Sequence, residues 1–295
     1  MARERDVLHW VGVGTVVAAS AGMKREEGMY RLIATDLDGT LLTPDGTISA
    51  ATREALTAAQ ELGVALVIAT GRNYPMMRYF CHDLRLSAPQ ISCNGAVVVA
   101  PATGDLLHVT TVPPAFVGPV LRFLEEQGVP AAFFSLLELW ISHDNPYAEL
   151  LIPRELDPPR TVDSLYSLAD TPCAKLVAMD PPEVIERLRP LAEARFGADL
   201  YVTQTSRNLL EFHHPQVSKG QALAQIARDL GVSPHEVIAF GDSHNDLEML
   251  RFAGLGVAMG NASDEVKAVA DLVTLPNDQD GIAHMVSQYI LSRSS

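Results

Sequence analysis

The stretch Arg31-Leu-Ile-Ala-Thr-Asp36-Leu-Asp38-Gly-Thr40 decides how this chain is read. Leu32, Ile33 and Ala34 form a short apolar run ending in carboxylates, the pattern of a parallel strand buried on both faces. Ser49 then suits a helix N-cap, and Ala55, Leu56, Ala59 and Leu62 share one face of a helix over 50–62, closed by Gly63. A second apolar strand follows at 64–69. Strand, helix, strand at these lengths is a βαβ unit, which predicts an α/β fold: a doubly wound, mostly parallel, Rossmann-like sheet. Ligands bind such sheets beyond the carboxyl ends of the strands, and Asp36 and Asp38 lie there. An ordinary Asp-Gly turn is the plainer explanation of the pair. A calcium loop fails, because Gly39 stands fourth in the motif rather than sixth.

The alternation returns toward the C-terminus, with strands expected at 237–240, 255–259 and 272–275 and helices at 218–230, 245–252, 263–270 and 281–291. The middle differs. It offers a helix over 120–127 whose start Pro119 obscures, strands at 131–134, 139–142, 175–178, 200–204 and 209–212, and a helix over 183–195, linked by prolines. It reads as an α+β module inserted into the doubly wound sheet.

Three further clusters accompany the first. Thr70 and Gly71 follow the second strand, where a hydroxyl and a glycine amide can cradle an oxyanion, or Thr70 can simply cap a helix. Lys219 sits in a first helical turn, where the dipole prefers anions. It makes sense there only beside an anion, and on the helix account its removal is neutral or slightly stabilising. Asp242, Asn245 and Asp246 stand where a strand becomes a helix, although an acidic first turn is commonplace. What argues against coincidence is repetition: groups suited to a metal or phosphate recur at successive strand ends. His213-His214, just before the lysine, reads as solvated turn residues, with a substrate role as the alternative.

Of 295 residues, 47% are hydrophobic and 6% aromatic, enough to bury a core of Ala-rich helices on Val/Ile strands. The 22 basic and 36 acidic side chains give a net charge of −14, which repels nucleic acid and anionic membranes. Cys81, Cys93 and Cys173 show no ligand spacing and read as reduced thiols of a cytoplasmic protein. Residues 7–21 are apolar but too short to span a bilayer. Their flank mixes acids with Arg3 and Arg5, unlike a secretory signal. Residues 1–28 are therefore expected to be a dispensable extension upstream of a start near Met29. The alternatives are a signal or weak anchor, whose cleavage site Ala19-Ser20-Ala21 resembles, or a structural segment.

The ordered set D-L-D-G-T (36–40), A-T-G-R (69–72), S-K-G (218–220) and G-D-S-H-N-D (241–246) resembles the haloacid dehalogenase superfamily in its Cof-type branch. S-C-N-G-A (92–96), V-A-M-G-N-A-S-D-E-V-K (257–267) and D-G-I-A (280–283) agree with it. The resemblance implies a core from 29–112 and 213–295 and an inserted α+β cap at 113–212. It implies a phosphatase acting on a small phosphorylated metabolite through an aspartyl-phosphate, with Asp36 as nucleophile and Asp38 as acid and base. Mg2+ would be held by Asp36, Asp242 and the Asp38 carbonyl, with Asp246 on metal-bound water. The Leu37 amide, Thr70, Gly71, Lys219 and Asn245 would hold the phosphate. A phosphomutase with the same nucleophile, or a non-catalytic binding protein on this fold, are the alternatives. A monomer or homodimer is expected.

Overall fold

A computed structural model describes residues 30–147 and 158–293, so the expected N-terminal extension lies outside the described residues. β1 (Leu32–Thr35) runs into the turn carrying Asp36 to Thr40. α1 (Ala50–Glu61) follows, capped by the Ser49 hydroxyl, which accepts from the Thr52 amide at 3.1 Å. β2 (Ala65–Ile68) leads to α2 (Tyr74–Asp83), a helix with no counterpart among the sequence expectations. Its N-cap is Asn73, accepting from the Met76 amide, so Thr70 is no helix cap. β3 (Gln90–Ser92), β4 (Val97–Val99) and β5 (Leu106–Val109) form a small antiparallel sheet.

α3 (Pro114–Glu126) starts earlier than expected and runs through Pro119. An interior proline costs about 3 kcal/mol. Burial of Val117, Val120, Leu121, Phe123 and Leu124, at roughly 1.5–3 kcal/mol each, outweighs it. β6 (Ala131–Ser135), β7 (Leu139–Ser142), β8 (Arg160–Val162), β9 (Cys173–Met179), α4 (Pro182–Phe196), β10 (Tyr201–Ser206) and β11 (Leu209–His213) come next. The chain then resumes its alternation with α5 (Lys219–Asp229), β12 (Val237–Gly241), α6 (Leu247–Phe252), β13 (Leu255–Ala258), α7 (Asp264–Val269), β14 (Leu272–Val273) and α8 (Gly281–Tyr289).

The first layer is a five-stranded, wholly parallel sheet in the order β14-β13-β12-β1-β2. Thr35 pairs with both Ile68 and Phe240, so the three strands end level. Residues along β1 alternate between two cores. Ile33 packs with Leu56 of α1 and Val286 of α8, while Leu32 and Ala34 pack with Leu223 of α5 and Leu250 of α6. Both faces are covered, which is why the strands read as unbroken apolar runs.

The second layer is a six-stranded sheet in the order β10-β11-β9-β6-β7-β8, its strands drawn from the middle of the chain. Phe133, Leu176, Leu210 and Phe212 bury against α3 and α4. The alternate residues Ala132, Phe134 and Val177 join instead the core that Ile33 shares. Lys175, Glu211 and His213 are on that second face by the two-residue period. His213 is fully buried within β11, not a solvated turn residue, and only His214 is partly exposed. The three cysteines are free and buried.

Candidate active site

Asp36 continues β1 by one residue, its amide donating to the Phe240 carbonyl at 3.0 Å. The chain must then turn sharply, and Gly39 takes φ +79°. A Cβ there would lie 2.6 Å from Asp242 Oδ2, so only glycine lets the two loops approach. Thr40 Oγ1 closes the junction by donating to Asp242 Oδ1 at 2.7 Å.

Asp242 and Asp246 follow β12 through a short 3₁₀ turn. Asp246 is fully buried, and its Oδ2 accepts from the Asp242 and Ser243 amides, each at 3.0 Å. Its Oδ1 accepts from Lys219 Nζ at 2.6 Å, and the same ammonium reaches Asp36 Oδ1 at 2.6 Å. Lys219 is the first residue of α5, and the Ser218 hydroxyl caps that helix by accepting from the Gln221 amide. The anion that its position demands is thus a pair of carboxylates.

Burial raises Asp36 well above the usual carboxylate range, with Lys219 opposing and Asp246 and Asp242 adding repulsion. Asp242 is raised by burial too, the Thr40 bond opposing. Burial works against a charged Lys219, yet its two carboxylate partners overcome that and raise it. One ammonium among three carboxylates leaves excess negative charge. Oxygens of Asp36, Asp242 and Asp246 lie within 4.8 Å of one another, so the three could hold a metal ion. An all-oxygen donor set suits a hard divalent cation. Asp246 is held by the Lys219 ammonium and two backbone amides. Asp242 accepts only from the hydroxyls of Thr40 and Ser243, which can rotate to other partners. Asp36 and Asp242 are therefore the better direct ligands.

Asp38 stands apart from that cluster. Its Oδ2 and Oδ1 accept from Arg72 Nε at 2.8 Å and Nη2 at 2.5 Å, a two-bond fork in a half-exposed setting. The carboxylates crowd at Asp36, Asp242 and Asp246 rather than at Asp38. Leu37, between the two aspartates, is buried. Thr70 Oγ1 accepts from the Arg72 amide at 3.2 Å and shapes its own loop. Asn245 Nδ2 donates to Asn94 Oδ1 at 2.9 Å. A cavity of 310 Å³ is lined by Asn94, Tyr201, Thr203, Lys219 and Asn245 among others, and not by Asp36, Asp38 or Asp242. The structure therefore gathers the sequence candidates at the level ends of β1, β2 and β12. It adds Arg72 and Asn94, which the quoted motifs contain but to which the sequence attaches no role.

Residues 33–286 match the model of the haloacid dehalogenase-like hydrolases. The phosphatase YwpJ of Bacillus subtilis is 32% identical over 286 residues, covering 88% of this chain and 100% of the relative. The pyridoxal phosphate phosphatase YbhA of Escherichia coli is 31% identical, covering 88% of this chain and 99% of the relative. The crystal structure of a haloacid dehalogenase-like hydrolase from Bacteroides thetaiotaomicron superposes with a TM-score of 0.80 at 28% identity, over 88% of this chain and 99% of that one. The chain belongs to the haloacid dehalogenase-like hydrolases, in the Cof-type branch, and is a phosphatase.

Proposed function

We propose that this phosphatase hydrolyses small phosphomonoesters, with magnesium, through a covalent aspartyl-phosphate on Asp36. The observation that carries the reading is the buried clamp in which Lys219 holds Asp36 and Asp246 at 2.6 Å each, beside Asp242. A nucleophilic carboxylate is useful only if its charge is controlled and its position set, and the clamp supports both.

In this reading an Asp36 carboxylate oxygen attacks phosphorus while the ester P–O bond breaks. The leaving oxygen takes a proton from Asp38, which must first give up at least one of its Arg72 bonds. Water then attacks phosphorus, Asp38 takes its proton, and the Asp36–phosphate bond breaks to release phosphate. Asp36, Asp242 and the Asp38 carbonyl would hold magnesium, with Asp246 behind them. When bound, the cation offsets charge on the carboxylates and the phosphate. Lys219, Asn245, Thr70 and the Leu37 and Gly71 amides would bind phosphate oxygens. The module over 113–212 would act as a cap that excludes water and selects the remainder of the substrate. Tyr201 and Thr203 line a cavity together with Lys219 and Asn245, which supports a substrate-selecting role for the module.

The test is phosphate release from a panel of sugar, pyridoxal and flavin phosphates, with and without magnesium. Turnover should require the cation and vanish in Asp36→Asn. Steady turnover by a folded Asp36→Asn protein would remove Asp36 as the nucleophile.

A further inference from the structure

A second buried polar cluster lies on the face of the six-stranded sheet turned away from α3 and α4. Its centre is Glu211 on β11. Glu211 Oε1 accepts from Lys175 Nζ at 2.8 Å and from Thr205 Oγ1 at 2.9 Å. Oε2 accepts from Asn94 Nδ2 at 2.9 Å and lies 2.8 Å from His213 Nε2. Burial pushes His213 toward its neutral form against the pull of Glu211, and its Nδ1 is buried with no partner. A neutral ring bonded to a carboxylate carries its proton on Nε2, so all four neighbours of Glu211 are donors. A buried ion pair seldom adds net stability over apolar residues of similar size. Stability alone does not account for this arrangement.

Asn94 does not belong to that sheet. It lies in the loop after β3, with φ +57°. Its amide donates to the Thr70 carbonyl at 2.9 Å, and the preceding Cys93 amide donates to the Arg72 carbonyl at 2.8 Å. A Cβ on Gly71 would lie 3.2 Å from Asn94 Oδ1, which already accepts from Asn245. Asn94 thus touches both the Thr70–Gly71 loop and Asn245, and its side-chain NH2 is anchored from outside by Glu211.

We infer that Glu211 is a positioning residue: by accepting from Asn94 it fixes the amide orientation of Asn94, and through it that of Asn245, so the phosphate cradle is set by the seated cap sheet. The inference rests on the reading that Gly71 and Asn245 hold phosphate. A carboxylate can only accept, so Asn94 must present NH2 to Glu211 and its carbonyl to Asn245. Asn245 must then spend one N–H on Asn94, which leaves its second N–H for an anion. Reversing Asn94 sets donor against donor and forces Asn245 to turn over.

The test exploits that polarity. In Glu211→Gln the new amide turns its carbonyl to the Lys175 ammonium and its NH2 to Asn94, the wrong group. Adding Lys175→Met removes that preference and lets the glutamine carbonyl face Asn94 again. Calorimetric titration with inorganic phosphate in magnesium, and hydrolysis of p-nitrophenyl phosphate, should show Kd and KM about tenfold higher in Glu211→Gln, with a smaller fall in kcat. The double variant should return to within about threefold of the parent. A merely structural role is also relieved when Lys175→Met removes the stranded ammonium, so the side-chain amide NMR signals of Asn94 and Asn245 separate the two. They follow the loss and recovery of phosphate affinity if Glu211 orients those amides, and signals that stay at their parent positions overturn the inference. Parent-like phosphate binding by Glu211→Gln, or no recovery in the double variant, overturns the inference. If Glu211→Gln does not fold, the double variant decides, and a tenfold loss of phosphate affinity there overturns it. Should the parent neither bind phosphate nor hydrolyse the ester, the phosphatase reading fails by itself. The side-chain amide NMR signals of Asn94 and Asn245 then decide: they should shift in Glu211→Gln and return in the double variant, and unchanged signals overturn the inference.

Discussion

Lys219 opens a helix, where an ammonium faces the unpaired amides of the first turn, so the helix alone would favour its loss. Its tertiary setting reverses that sign, because both of its carboxylate partners are buried. Breaking a buried pair strands the remaining charges and costs roughly 3–5 kcal/mol. Lys219→Ala should therefore lower the melting temperature of the metal-free protein, with partial recovery in magnesium. It should also lower kcat/KM at least about a hundredfold, through loss of a preorganised donor to phosphate. A level melting temperature would show that the carboxylates need no ammonium. Arg72 is the contrasting case. Its fork on Asp38 is solvated on the aspartate side, so the pair itself adds little stability, although the arginine also stacks over Phe80. Arg72→Ala should lower the melting temperature less than Lys219→Ala does, through lost packing on Phe80, and lower kcat by about tenfold or more, because Asp38 loses its orientation. Unaltered kcat would end any positioning role for Arg72.

Strand β11 shows how a two-residue period can carry two kinds of information. Leu210 and Phe212 face α3 and α4, while Glu211 and His213 are buried on the opposite face, where Glu211 meets Asn94. The alternation is visible in Leu209-Leu-Glu-Phe-His213, but a charged residue between two apolar ones ordinarily marks a solvated face. Here that face is covered, and the sign of the pH dependence follows. Burial would raise Glu211, yet Lys175 and His213 hold it down to about 2, against 4.5 for a free glutamate. The unfolded chain therefore takes up this proton first. The stabilisation is complete above pH 4.5 and is lost as pH falls toward 2, by about 3 kcal/mol in all. His213 is lowered from 6.5 by burial and contributes with the same sign, starting at higher pH. Melting temperatures between pH 5 and 3 should fall steeply in the parent and less steeply in Glu211→Gln. Parallel curves would contradict the assignment.

The whole molecule carries a net charge of −14, and its site concentrates three carboxylates around one ammonium. A divalent cation binding only the folded state stabilises by mass action. Magnesium should therefore raise the melting temperature by a few degrees, EDTA should remove the gain, and Asp242→Asn should abolish it. An Asp242→Asn protein that still gains stability from magnesium would place the cation elsewhere. Among the described residues no helix is long and apolar enough to cross a membrane. The two sheets share one core, with Ala132, Phe134 and Val177 from the second layer in the cluster that contains Ile33 and Phe240. Glu211 meets Asn94 at that junction.

Local pattern is enough to read the parallel layer. Apolar runs ending in Asp36, Thr70 and Asp242 declare strands buried on both faces, and the polar groups that follow fall at the carboxyl ends, where sheets of this kind bind ligands. The same runs locate Lys219 and Asn245 through motifs that need no long-range information. What sequence separation hides is pairing. Asp38 lies two residues from Asp36 yet bonds Arg72, 34 positions away. Asn94 and Glu211 are 117 positions apart, and each looks like an ordinary polar residue in its own segment. Pro119 obscures the start of α3 because the apolar contacts that outweigh it come from other elements. His213 reads as exposed for the same reason, since burial of a β face depends on what another part of the chain lays over it. Strand ends and their chemistry are local properties of the polymer, whereas which charge meets which donor is decided only when the two sheets pack.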